Sequence, residues 1–104
     1  MYDETFIVQN KQTLNLTPIV QNQKLSLETL YQIYNCVDLT TILMNQDVDM
    51  DFIKNVILNV SNWQSSKERE ISLDDVFLFQ KLTNEEKQEL INYVDELYRQ
   101  GKFY

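Results

Sequence analysis

The chain of 104 residues contains no histidine and no alanine, and only one glycine, one proline and one cysteine. Each shortage closes a route to chemistry. Without imidazole there is no ordinary general base near neutral pH, no commonest metal ligand and no middle member of a nucleophilic triad. With Cys36 alone, one chain can form neither an intramolecular disulfide nor a cysteine-built zinc or iron–sulfur site, which fits a reducing compartment. Gly101 is the only glycine, so Gly-rich phosphate loops of the Walker and dinucleotide types are excluded. No apolar run approaches the ~18 residues a membrane helix needs. Met1-Tyr2-Asp3-Glu4 lacks the basic-then-apolar order of a signal peptide. These absences predict a cytoplasmic protein with no cofactor, no membrane contact and no enzymatic activity.

What is present is the composition of a folded domain, with 43% hydrophobic and 24% charged residues. A chain of this length buries roughly 60–70% of its unfolded surface, enough for a core without disulfides. One domain over residues 1–104 is expected, with 1–24 as an arm and 25–104 as a helical body. Asn and Gln together make up about a fifth of the residues, and Ala, Gly and Pro are scarce. That bias matches AT-rich coding DNA and suggests a low-GC bacterium, or a phage or mobile element living in one.

Sixteen acids against nine bases give a net charge of −7, which repels nucleic-acid phosphates and argues against direct DNA binding. Between Lys24 and Lys54 there is no base, while Glu28, Asp38, Asp47, Asp49 and Asp51 fall in that interval. Such a patch either keeps a small domain soluble or docks on a basic partner. The C-terminal half dilutes it with Lys67, Arg69, Lys81, Lys87, Arg99 and Lys102.

Along the chain, Thr5 to Val20 is rich in β-branched residues, and Leu14 and Leu16 alternate with polar neighbours, which predicts an extended arm or β-hairpin. Pro18 confines any strand there to an edge. Ser26 is placed to cap a helix over about 27–45, with Leu27, Leu30, Tyr34, Val37, Thr41 and Met44 on one face. Asp38 to Thr41 is poor in helix formers and is a point where that run can break. Asp49 or Asp51 caps a second helix with a stripe of Phe52, Ile53, Val56, Ile57, Val60 and Trp63. Gln64 to Glu70 reads as an exposed loop. Ser72 with Asp75 suggests a short helix from Leu73 to about Lys81, with a strand as the alternative. Thr83 with Glu86 is a capping box opening a helix whose buried face is Leu90, Ile91, Val94, Leu97 and Tyr98. Asp95 and Arg99 form an i,i+4 pair in it, and Gly101 ends it. No internal repeat, heptad pattern or low-complexity tract is evident. The expected fold is mainly α, a small bundle of three to four helices with an N-terminal extended arm or hairpin.

Candidate sites weaken on inspection. Asp47-x-Asp49-x-Asp51 begins like a calcium loop, but Phe52 stands where Gly is needed and Leu58 where a bidentate Glu is needed, so an EF-hand is rejected. Cys36, expected mid-helix, reads as a small hydrophobe, having no imidazole to activate it. Ser65, Ser66 and Lys67 form a polar loop, and Glu68, Glu70, Asp74 and Asp75 lack the loops that would build a sugar cleft. The aromatics carry more. Tyr31, Tyr34, Trp63, Phe77, Phe79, Phe103 and Tyr104 divide between core and contact, with Trp63 and Phe77 assigned inside and Phe79, Phe103 and Tyr104 outside.

The expectation is therefore a non-enzymatic, acidic protein-binding module. It would act as an inhibitor or adaptor of phage or mobile-element origin that occludes a basic surface of another protein. Glu28, Tyr31, Asp38, Asp47, Asp49, Asp51, Phe79, Phe103 and Tyr104 are the candidate partner-binding residues. The alternative is a self-assembling accessory protein that pairs subunits through its N-terminal arm, so homo-oligomers are possible.

Overall fold

Five of the described helices open on a side-chain cap, four of them in one layer, and this repeated start organises the molecule. The computed structural model describes residues 2–59, 62 and 71–101. Asp3 accepts from the backbone N–H of Thr5 and Phe6 to open α1 (Glu4–Gln9), and Ser26 accepts from Thr29 to open α3 (Leu27–Ile33). Asp49 accepts from Phe52 to open α5 (Met50–Phe52), and Thr83 and Glu86 form a full capping box at α7 (Asn84–Arg99). Each cap satisfies one or more of the N–H groups that a helix start leaves unpaired. Between these lie α2 (Leu16–Asn22), α4 (Leu39–Asn45) and α6 (Leu73–Phe79).

The segment expected to be an extended arm or hairpin is helical. Its β-branched residues favour strands only weakly, and burial decides the outcome. Leu16, Ile19 and Val20 stand at i, i+3 and i+4 and are all buried, as is Ile7 in α1. Pro18 is the third residue of α2, within the first turn, where no intrahelical N–H bond is lost. Among the described residues there is no strand.

The single helix over 27–45 is two. α3 runs into a 3₁₀ turn, Tyr34–Cys36, and Val37 is extended before Asp38 starts α4. Cys36 therefore sits in a half-buried turn rather than mid-helix. The helix predicted to reach Trp63 leaves α geometry after Phe52. Ile53–Ile57 is a π-helix in which the Leu58 N–H donates to the Ile53 carbonyl at 2.8 Å, and Phe52, Ile53, Val56 and Ile57 are buried. Val60, Trp63, the 64–70 loop, Phe103 and Tyr104 lie outside the described residues.

Helix α6 closes its N-terminus with a complete Ser72–Asp75 capping box, and α7 matches its predicted start. Gly101 follows the end of α7 with φ +68°, the left-handed conformation that glycine adopts without steric cost. Two details differ. Only Leu90 and Val94 of α7 are buried, while Ile91 and Tyr98 are exposed, because α7 lies at the edge of the molecule and offers it a narrow stripe. Arg99 pairs with Glu96 at 3.6 Å rather than with Asp95.

The structure also reveals an internal repeat. α2 packs on α4 and α4 on α6, forming one layer. α1 packs on α3, the Tyr31 ring meets Phe52 edge-on at 5.0 Å, and Lys54 pairs with Glu89 of α7, forming the other. Steps of 23 and then 34 residues bring successive units into register: the caps Asp3, Ser26, Asp49 and Thr83 correspond, and likewise Leu16, Leu39 and Leu73, then Ile19, Ile42 and Val76, then Gln23, Gln46 and Gln80. Gln23 and Gln46 are 23 residues apart, whereas Gln46 and Gln80 are 34 apart. The eleven extra residues fall between Asp49 and Ser72, which is what hides the period in the sequence.

Candidate functional site

The repeat is held by a ladder of glutamines. Gln46 is 2% exposed; its Oε1 accepts from the Leu25 N–H at 2.9 Å and its Nε2 donates to the Val20 and Gln23 carbonyls at 2.8 and 2.7 Å. Gln80 repeats this one unit later, accepting from the Val48 N–H at 3.3 Å and donating to the Leu43 and Gln46 carbonyls, both at 2.8 Å. Each amide thus satisfies the last carbonyls of the preceding second-layer helix, groups that a helix end otherwise leaves unpaired. Asn22 and Asn45 echo the register, donating to the Pro18 and Thr41 carbonyls at 2.7 and 2.8 Å. Among the described residues no buried side-chain polar atom lacks a partner. None of the three glutamines was singled out from the sequence, although the spacing Leu-x-x-Ile/Val-x-x-x-Gln was present to be read at Leu16, Leu39 and Leu73.

Because the glutamines tie like ends together, the second-layer helices run parallel and their connections into the first layer collect at one end of the stack. That end carries Lys24 and Lys81 at the positions equivalent to Asp47, and five carboxylates: Asp47, Asp49 and, in the first turns beyond, Glu28, Asp51 and Glu85, the last three in equivalent positions. All five are exposed. The register therefore puts Glu28, Asp51 and Glu85 at equivalent positions of successive first-layer segments, the ridge referred to below, with Glu85 an addition that the charge pattern alone did not suggest. Asp38 is separated from this end by the length of α4, about 10 Å for its seven residues.

Tyr31 is the aromatic partner of that ridge. Its ring is 40% exposed, its other edge rests on Phe52, and its phenol pKa is raised first by burial and then by the negative charges of Asp49 and Asp51. Phe52 links the three: its ring meets Tyr31, its N–H is capped by Asp49, and Asp51 precedes it in the chain. Asp49 also caps α5 through the Phe52 N–H at 2.8 Å, so its carboxylate is held in place. Phe79, 37% exposed, stands at the end of α6.

Glu4 lines a groove together with Glu28, at the start of the first layer. Its Oε1 accepts from the Ser26 N–H, the Ser26 hydroxyl and the Thr29 hydroxyl at 3.1, 2.7 and 2.5 Å, and these bonds, led by Thr29, hold its carboxyl below the usual glutamate range. Among the described residues no group of three His, Cys, Asp or Glu side chains is arranged to hold a metal ion, and no helix is long and apolar enough to cross a membrane.

Comparison of the chain with protein-family profiles, curated proteins and solved structures gives no match.

Proposed function

We propose that this protein is an acidic, non-enzymatic protein-binding module that covers a basic surface of its partner, in the manner of an inhibitor or adaptor encoded by a phage or mobile element. The observation that carries this reading is the contact of the Tyr31 ring with Phe52, whose N–H is capped by Asp49 and whose chain neighbour is Asp51, with Glu28 and Glu85 at positions equivalent to Asp51. Exposed carboxylates speed encounter with a positive surface, and an exposed tyrosine braced against a buried ring is the kind of rigid amphipathic anchor that holds a complex once formed. Stacked helix pairs suit the task, since their repetition builds long surfaces of matching chemistry.

The test places a photo-crosslinking amino acid at position 31 and irradiates the protein in a low-GC bacterial lysate. One dominant adduct is expected, with a basic partner, lost at high salt and lost when Asp49 and Asp51 are both changed to Asn. Adducts that persist unchanged in that double variant would argue against the reading.

A further inference from the structure

We propose that the α2 end of the stack takes up a single amphipathic helix from a partner protein, seated where the interior of the stack places a second-layer helix. This surface is distinct from the acidic ridge and does not depend on it.

The argument is one of continuity. α4 is covered by α2, and α6 by α4, each through a glutamine that grips the covering helix by its last carbonyls. The equivalent side of α2 is instead an open groove of about 590 Å³ lined by Tyr2, Leu14, Pro18, Ile19, Asn22 and Gln23, among others. Its rim is apolar: Tyr2 and Phe6 are 49% and 45% exposed and stack on each other at 6.0 Å. Gln23 occupies the gripping position. Its Oε1 accepts from the Tyr2 N–H at 2.9 Å, matching the bond from Leu25 to Gln46. Its Nε2 donates to the Tyr2 carbonyl at 2.6 Å, whereas the interior glutamines place both hydrogens on helix-end carbonyls. Among the described residues one donor is thus left for a carbonyl of an incoming helix end.

The register also says what fits. Leu16, Ile19 and Val20 in α2, and Leu39, Ile42 and Leu43 in α4, put aliphatic side chains at the first, fourth and fifth helical positions. The occupant is a short helix of that pattern, a helix-in-groove contact with an added polar clasp at its C-terminal end. A second copy of this chain cannot extend the stack by placing its α2 end on the α7 end of the first. Among the described residues the outermost helices at the two ends, α1 and α7, both belong to the first layer, and such an arrangement would put those two in one place.

The experiment titrates the ¹⁵N-labelled full chain with a helix-stapled peptide copying residues 38–48, and in parallel replaces Met1 by a copy of residues 36–47. The latter sets a second α4 in frame ahead of Tyr2. Saturable shifts at the Tyr2, Ile19, Asn22 and Gln23 amides are expected, weakened at least tenfold by Pro18→Glu, which charges the groove wall at an exposed position. The extended chain is expected to melt about 4 °C or more above one carrying a scrambled extension of equal length, and Pro18→Glu should cancel the gain. Equal melting temperatures for the two extensions, or peptide shifts centred on α6, α7 or Tyr31, overturn the proposal. The ridge variants Asp49→Asn and Asp51→Asn should leave both readouts unchanged, so failure here is separable from failure of the acidic-surface reading.

Discussion

Gln80 does to the end of α4 what Gln46 does to the end of α2: each amide takes one backbone N–H and gives two hydrogens to carbonyls of the neighbouring unit. The two residues are also joined directly, since the Gln80 side chain donates to the Gln46 backbone carbonyl at 2.8 Å. A buried amide with all its capacity used costs little to desolvate and specifies one register between helices. That is how short helices of seven residues, too short to be stable alone, are locked into a stack.

Replacing Gln46 should therefore be costly in a way that depends on charge. Gln46→Ala leaves one N–H and two carbonyls buried without partners, an expected loss of about 3 kcal/mol. Gln46→Glu should be worse at neutral pH, because a carboxylate offers no hydrogen to the Val20 and Gln23 carbonyls, and it should recover part of the loss as acid protonates it. Urea unfolding of both variants between pH 4 and 7 checks the order; equal stability of Glu and Gln at pH 7 would contradict the ladder.

The repeat makes a deletion testable. Removing Ser26–Val48 joins Leu25 to Asp49 in register and lets Gln80 grip α2 in place of α4. The shortened chain should unfold cooperatively at a lower temperature. Removing Ser26–Asn45, which breaks the register, should abolish cooperative unfolding. Circular dichroism melts of the two distinguish a true structural period from coincidence of spacing.

Glu4 should make folding sensitive to acid. Its folded pKa lies below the ordinary 4.5 because the charged form accepts bonds from Thr29 and Ser26. Stability from this group is fully present above pH 4.5 and is lost as pH falls through the depressed folded value. Glu4→Gln should thus be less stable than the native chain at pH 7 and close to it near pH 3. A constant difference across that range would show that the carboxylate's charge is not what matters.

Tyr31 should titrate late. Burial, then Asp49 and Asp51, hold its phenol above the usual 10.0, so the neutral form is favoured in the fold. The associated stability is intact below pH 10.0 and lost as pH rises through the folded value. Asp49→Asn keeps an effective helix cap while removing charge; with Asp51→Asn it should move the phenol part of the way back towards its ordinary value, leaving the contribution of burial. NMR titration of the Tyr31 ring checks this, and an unchanged midpoint would place the two carboxylates too far away to form one surface with it.

How much was legible can be judged from particular elements. Ser26, Asp49 and Thr83 were readable as caps because a side chain bonding to a nearby backbone N–H is local chemistry. The Asp38 break was readable for the same reason. Residues 5–20 were misread because short β-branched segments have no strong local preference, and Ile7, Ile19 and Val20 become helical by burial against helices that follow later in the chain. Of the candidate contacts, Asp49, Asp51 and Tyr31 were brought together, Asp38 was placed at the far end of α4, and Phe103 and Tyr104 lie outside the described residues.

By itself, the amino-acid sequence determined the helical character of residues 25–59 and 71–101, their starts and the acidic balance, since caps, spacing and charge act over one or two turns. Only the tertiary structure decided that α1 and α2 are helices, that Tyr31 stands beside Asp49 and Asp51, and that Gln46 and Gln80 bind units 23 and 34 residues distant. Those outcomes depend on which segments pack together, and a polar side chain declares itself a clasp only when burial removes water as its alternative partner.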